Sequence, residues 1–539
     1  MNQLVNKLSK YEKILFFLVI LLNLIPVLNH RFFPTLDGPA HLYNATLINH
    51  MLFNSDFDAF LQFNPEAVPN WTGHLLLCFF KGFLPGYLAE KFLFIAYFVG
   101  LAYAFRNLIK SFNPGYMGLS YLIFPLTYNF LFSLGFYNFS LGLIGLLLIL
   151  AFWVKNQEII ARSPKKMILF GILLLLTYFS HILMFSAALL AVSCYTFCTF
   201  LKQYIQTRKF KETFLSHLKK TLILVTCSLV PLILMMVYFV NRAGADNQSF
   251  IPGKELLKML VYIKPIICYQ EEIEKEFTRK LAYILFALII AGIYYRIKNR
   301  KTADVISGER GLLRLTDSWL LITGIMILLL FKIADASGMV SIISIRFALL
   351  AFLFLLIWIA SLKPAKWFIF VCSVLLLVVQ FKRVRYFDEM TEIHSQIAVK
   401  CKQAEKFIEP GSVVGTVNLT NNWLLNHFSN YLGIDKPMII LENYEANMDY
   451  FPLKWNIEKV PNMQIAGQSV LKNPLFSSYK TNLANEKRAI DYIFVLGHWD
   501  TTNPVHVQDR QLIPEQFQEV FRNNQCILYR YKKAAEPDL

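Results

Sequence analysis

The residues best placed for chemistry open the first long polar stretch, Pro34-Thr35-Leu36-Asp37-Gly38-Pro39-Ala40-His41-Leu42-Tyr43. Asp37 precedes a helical pattern with His41 one turn later, and residues four apart share a helix face. A carboxylate held beside a hydroxyl can take that hydroxyl's proton as it attacks an electrophile, which is general-base catalysis. The same spacing is also an N-cap signature, with the carboxylate accepting backbone N–H groups and Pro39 fitting the first turn. Arg346, in Ser344-Ile345-Arg346-Phe347, stands at the end of an apolar run, where a guanidinium suits a phosphate or snorkels to lipid headgroups. Lys332 and Asp335 flank the same loop and read as a weaker interfacial pair. His181, in Tyr178-Phe179-Ser180-His181, and Asn138, beside Tyr137, fall in tight turns between apolar runs. There each is a backbone-bonded turn residue or a cavity-lining group. Near the C-terminus, Tyr444, Glu445, Phe451, Pro452 and Trp455 read either as an aromatic platform for a sugar or as domain packing.

These groups need a frame, and composition names its kind. Of 539 residues, 56% are hydrophobic and 17% charged, with mean hydropathy +0.45. The apolar residues come in uncharged runs of membrane-crossing length. Spans are expected near 14–28, 88–105, 117–134, 139–154, 167–180, 182–201, 221–240, 281–296, 317–333, 347–362 and 367–381, about eleven in all. The first follows Lys7, Lys10 and Lys13 and lacks a small-x-small cleavage site before His30 and Arg31, so it reads as a retained span. The net charge of +17 is explained by topology and not by nucleic acid, because Lys and Arg cluster in alternate loops. Arg106 and Lys110, then Lys155, Arg162, Lys165 and Lys166, and the basic groups of 202–220 and 296–314 all fall on one side, with the turns at 135–138 and near Ser180 free of Lys and Arg. The frame is a plasma (inner) membrane protein with a cytoplasmic N-terminus and an extracytoplasmic C-terminus.

Three external segments are long enough to act: 29–87, 241–279 and the tail. The pieces His41 to Phe53 and Trp71 to Leu84 are expected to lie at the membrane interface, and Lys254 to Lys264 on its surface. Residues 1–382 form the membrane domain, and 383–539 a soluble α/β domain. In the tail a helix is expected near Met390 to Ile408, strands at Ser412 to Asn418, Pro437 to Leu441, Asp491 to Leu496 and Cys526 to Tyr531, and helices near Asn422 to Leu432 and Pro514 to Phe521. The eight cysteines include no CxxC pair, so neither a zinc motif nor a disulfide framework is read. Glycine-rich phosphate loops, G-x-S-x-G, H-E-x-x-H and the dinucleotide fingerprint are missing, which argues against soluble nucleotide chemistry.

A first span, a long external loop opening on Asp37, interface helices, and Pro85-Gly86-Tyr87-Leu88-Ala89-Glu90-Lys91 entering the second span together resemble the GT-C superfamily of integral-membrane glycosyltransferases. The protein O-mannosyltransferases and the lipid A aminoarabinose transferase belong to it. The resemblance implies an all-α membrane bundle carrying an extracytoplasmic α/β domain. It also implies a sugar donor on a polyprenyl phosphate, Asp37 as the first-loop catalytic acid, and Glu90 and Lys91 near the donor. Two features depart from the superfamily pattern: the motif is Asp37-Gly38 and not two adjacent acids, and Gly135-Phe136-Tyr137-Asn138 carries no carboxylate. The expected activity is an inverting transfer to a hydroxyl of a glycan, lipid or protein, in polysaccharide or glycolipid biosynthesis of the cell envelope. Asp37 serves as base, His41, Glu90, Lys91 and Arg346 serve the donor, and Asn138 and His181 line the cavity. No cofactor is assigned, and a divalent cation is left open. The alternatives are a transporter or flippase of a lipid-linked glycan, and a sensor or assembly protein whose tail binds a partner.

Overall fold

The computed structural model describes residues 2–241, 248–298, 314–337, 341–456, 490–499, 510–511 and 513–532. Its main helices are α1 (Asn2–Asn29), α2 (Gly38–Met51), α3 (Thr72–Lys81), α4 (Gly86–Phe112), α5 (Phe124–Thr127), α6 (Phe130–Ser133), α7 (Tyr137–Asn156), α8 (Pro164–Ser180), α9 (Ile182–Thr207), α10 (Phe210–Val240), α11 (Gly253–Val261), α12 (Glu271–Lys298), α13 (Ser318–Lys332), α14 (Ile343–Ser361) and α15 (Lys366–Gln403). The strands are β1 (Leu61–Phe63), β2 (Gln248–Ser249), β3 (Ala336–Ser337), β4 (Val413–Asn418), β5 (Ile439–Ile440), β6 (Leu453–Trp455), β7 (Tyr492–Leu496), β8 (Phe517–Arg522) and β9 (Cys526–Tyr531). The chain divides into two compact units, Met1–Pro26 with Ile95–Phe387, and Val27–Phe94 with Asp388–Leu539.

The first unit is a membrane bundle. Among the described residues, nine helices of the chain are long and apolar enough to cross a bilayer. A tenth expected span, α8, has 17 residues and is about 26 Å long at about 1.5 Å per residue. The stretch 117–134, read from hydropathy as one span, is instead a 3₁₀ helix (Pro114–Ile123) followed by α5 and α6. Pro125 has no N–H to donate, Tyr128 is extended, and Asn129 caps the next turn by accepting from Phe132 N at 3.0 Å. Irregular backbone at membrane depth survives only where protein satisfies its polar groups. Here the buried Arg383 of α15 does so, donating to the carbonyls of Pro125, of Tyr128 at 2.6 Å and of Ile266 at 2.6 Å. Asn23 of α1 adds a second polar node, accepting from Gln380 at 2.6 Å and from Thr127 at 3.3 Å. By contrast, α10 leaves Leu229, Val230, Ile233 and Met236 exposed on its surface, as a helix against lipid does.

The second unit holds one five-stranded sheet in the order β5-β4-β7-β9-β8. Strand β4 runs parallel to β5 and β7, whereas β9 is antiparallel to β7 and β8. Every residue of β7, Tyr-Ile-Phe-Val-Leu, is buried, as the unbroken apolar run of a central strand covered on both faces should be. Of the segment expected as a helix at Pro514 to Phe521, Pro514 to Gln516 is helical and the rest enters the edge strand β8, whose bulge between Glu519 and Phe521 and exposed Glu519 and Arg522 suit an edge. Strand β1, in the first polar stretch, pairs antiparallel with β6 in the tail, Leu61 opposite Trp455 and Phe63 opposite Leu453.

Helix α3 is amphipathic, burying His74 and Leu77 and exposing Leu75 and Phe79. Helix α2 has no such exposed apolar face. It is buried almost all round, from Gly38 through Ile48, because the tail packs over the face that would otherwise meet lipid. Helix α11 buries Leu256 and Met259 and exposes Leu257 and Val261.

Candidate active site

Helix α2 is fixed to the tail by bonds that leave it little freedom. Tyr43 donates from its hydroxyl to Met438 O at 2.8 Å and accepts from Ile440 N at 2.9 Å, which ties the helix to β5. Asn44 and Asn443 exchange side-chain amide bonds at 2.9 and 2.8 Å, and Thr46 donates to Ile434 O at 2.8 Å. Gly433 lets the Tyr43 ring come close, since a Cβ there would stand 2.4 Å from Cδ2. The N-terminus of α2 is thereby held with little slack, and Asp37 sits on it.

Asp37 occupies the N-cap position, yet its side chain makes no capping bond. Its carboxylate instead accepts from the Tyr444 hydroxyl, and Oδ1 lies 3.7 Å from Nε2 of His427. The residue is 8% exposed. Burial pushes its carboxyl up, His427 and His41 pull it back, and the balance stands at about 6. Asp37 is therefore ionised at neutral pH but poorly solvated, a state suited to accepting a proton.

Behind it, His427 passes its Nδ1 to Glu442 Oε1, and the other oxygen of Glu442 accepts from Ser429 at 3.2 Å and from Asn430. Burial lowers His427's affinity for its proton, but Glu442 and Asp37 outweigh it and the imidazole is pushed above its ordinary value. The ring stacks on Tyr444, with centroids 4.5 Å apart and 26° between planes. Tyr444 thus contacts both His427 and Asp37, and its phenol is held well above the usual range by burial and by the neighbouring carboxylates.

His41 points to a second acid. Its Nδ1 lies 2.5 Å from Oε1 of Glu445, and Nε2 of His74 lies 2.8 Å from Oε2. His41, His74 and Glu445 are 4%, 1% and 1% exposed. Burial pushes Glu445 up, but the two histidines outweigh it and hold the carboxylate at about 2. Phe451 packs on both imidazoles.

The other expected site residues make contacts of their own. Glu90 is buried in α4, and Lys91 donates to Leu28 O at 3.3 Å. In the first unit, Arg346 at the start of α14 donates to Ser341 O at 3.1 Å, packs over the Phe136 ring at 4.8 Å, and brings Nη1 within 3.3 Å of His181 Nε2. His181 caps α9 by accepting from Leu183 N at Nδ1, and its ring meets Phe139. Burial first, and Arg346 second, lower its pKa well below the ordinary value, so the ring is neutral. With Nδ1 accepting, its proton is on Nε2, so two N–H donors, from His181 and Arg346, face one another. Asn138 is buried at the start of α7, beside Phe139.

The sequence had offered Asp37 and His41 together, but no local pattern marks His427, Glu442 or His74. Tyr444 and Glu445 stood out only as parts of an aromatic stretch.

No protein-family model and no curated protein matches the chain. Among solved structures, the crystal structure of ArnT from Cupriavidus metallidurans in the apo state is similar, with TM-score 0.54 over 97% of this chain and 98% of that chain at 11% identity. ArnT is the lipid A aminoarabinose transferase, a GT-C enzyme. The membrane helices, the small C-terminal sheet and this near full-length likeness agree, and the chain has an ArnT-like fold.

Proposed function

We propose that the chain is an inverting glycosyltransferase that moves a sugar from a polyprenyl-phosphate donor to a hydroxyl acceptor on the outer face of the plasma membrane. The observation that carries the reading is Asp37, a buried carboxylate with no capping role, braced by Tyr444 and His427 on a rigid helix. In the reaction the acceptor oxygen attacks the anomeric carbon as its proton passes to Asp37. The bond from that carbon to the phosphate oxygen breaks, and polyprenyl phosphate leaves. A single displacement inverts the anomeric configuration. His427 and Glu442 keep positive charge beside Asp37, favouring its ionised form before the proton arrives.

The donor's phosphate is assigned to Arg346 and His181, whose opposed N–H groups suit one shared anionic acceptor. Asn138 belongs to the same end of the first unit through its neighbour Phe139. His41 is assigned to hold Glu445, and Glu90 and Lys91 to shape the entry of α4 near the donor. The basic loops support an orientation with Lys155, Arg162, Lys165 and Lys166 in the cytoplasm and the tail outside. The purified protein in detergent, with no second compartment, tests the reading: a transferase releases polyprenyl phosphate from the donor, whereas a flippase leaves the donor intact.

A further inference from the structure

His41, His74 and Glu445 come from α2, α3 and the 3₁₀ turn Tyr444–Asn447, yet one ligand-type atom of each lies within 4.8 Å of the others. We propose that these three residues bind one divalent metal ion, zinc by ligand type, that clamps the first polar stretch to the tail within the second unit. This inference does not rest on the transfer reaction, although His41 and Glu445 also act on the Asp37 carboxyl.

Two histidines and one carboxylate form an N₂O ligand set that zinc takes, with zinc–ligand distances of about 2.0 to 2.2 Å. Ligands on one such ion stand about 3.3 to 3.6 Å apart at the tetrahedral angle, so the trio encloses an ion after small side-chain shifts. The surroundings fit as well. Nδ1 of His74 lies 3.3 Å from Asn70 O and can donate to it, leaving the Nε2 lone pair aimed at the Glu445 carboxylate. A metal-bound histidine characteristically gives its other ring N–H to a carbonyl in this way. Asn70 holds that carbonyl in place from a left-handed conformation, φ 70°. The His41 and His74 rings are 5.1 Å apart and nearly perpendicular, at 88°, with Phe451 packed against both. Oε1 of Glu445 is fully buried and lies against Nδ1 of His41 at 2.5 Å.

With no ion, His74 has an oxygen at each ring nitrogen, Asn70 O and a Glu445 carboxylate oxygen, and is 1% exposed. With a bound ion, both imidazoles stay neutral and the carboxylate stays ionised, the protonation states that metal binding requires. The ion would sit at the junction of three segments, of which those carrying His74 and Glu445 lie 371 residues apart along the chain.

The test uses the full-length protein in detergent with any affinity tag removed, stripped with chelator, reloaded with Zn²⁺ and desalted. Elemental analysis is expected to find one zinc per chain in wild type and none above the buffer blank in Glu445→Gln or His74→Ala. Wild type should melt at a higher temperature with zinc than without it, and these variants should not respond. His74→Cys separates the clamp from a simple ion pair, because a thiolate ligates zinc but cannot replace an imidazolium. It should keep one zinc per chain and, loaded with Co²⁺, show a sulfur-to-cobalt charge-transfer band. Wild-type protein that takes up no zinc, or Glu445→Gln and His74→Ala that bind it as wild type does, would overturn the proposal.

Discussion

Replacing Asp37 by Asn should make the protein more stable while removing its proposed base. The ordinary Asp value is 3.8, and in the fold Asp37 stands at about 6, because burial outweighs the help of His427, His41 and the Tyr444 hydroxyl. Between those two pH values the folded chain binds more protons at this site than the unfolded chain does, so stability falls as pH rises through the window. At about 1.4 kcal/mol per pH unit, the ionised carboxylate costs about 3 kcal/mol at neutral pH. Asn has the same shape and no charge, so the variant recovers up to about that amount above pH 6 and nothing at pH 3.8 or below. The assay is thermal unfolding of wild type and Asp37→Asn in the same detergent at pH 7.5 and at pH 4. An upward shift of several degrees at pH 7.5 that shrinks at pH 4 is predicted. A variant less stable than wild type at pH 7.5 would refute the reasoning, since it would make Asp37 a structural cap after all.

Other outcomes follow from the same geometry. Donor turnover by wild type should fall about tenfold per pH unit below about 6, as Asp37 takes up its proton beside His427, His41, Glu445 and Tyr444; a rate flat to pH 4.5 would exclude Asp37 as the base. Gly433→Ala drives a methyl into the Tyr43 ring and should destabilise by about 1 to 3 kcal/mol, read as a lower melting temperature that Tyr43→Leu in the same chain partly restores. Arg346→Ala should raise the KM for a polyprenyl-phosphate sugar while leaving the melting temperature near wild type. An unchanged KM would remove Arg346 from phosphate binding.

What could be read along the chain was local. Apolar runs predict helices because each is contained in one stretch of residues, and all but one of the expected spans fold as helices. The exception, 117–134, breaks at Pro125 and Asn129, and it is tolerated in the bundle because Arg383, about 250 residues away, satisfies its carbonyls. Hydropathy cannot see that partner. Helix α2 looked like an interfacial piece because its own residues are mixed, but the groups that bury it, Met438, Ile440 and Asn443, lie about 400 residues later. The candidate site follows the same pattern. Asp37 and His41 share one turn and were legible as a pair, whereas His427, Glu442 and Glu445 reach them only through the tail, and His74 is an ordinary member of an apolar helix until Glu445 meets it. The helix predicted near Pro514 is helical to Gln516 and then gives way to β8, because an edge strand tolerates charged residues and a bulge that local pattern matching reads as helical.

The central claim is that a lipid-linked sugar is transferred with Asp37 as the base. It is tested most directly by incubating wild type and Asp37→Asn, at equal concentration and pH 7.5, with a panel of polyprenyl-phosphate sugars and membrane extract as acceptor, and measuring released polyprenyl phosphate. Release by wild type with a rate about 10² to 10⁴ times that of the variant is predicted. Equal release by both proteins, or no release by wild type with any donor in the panel, would contradict it.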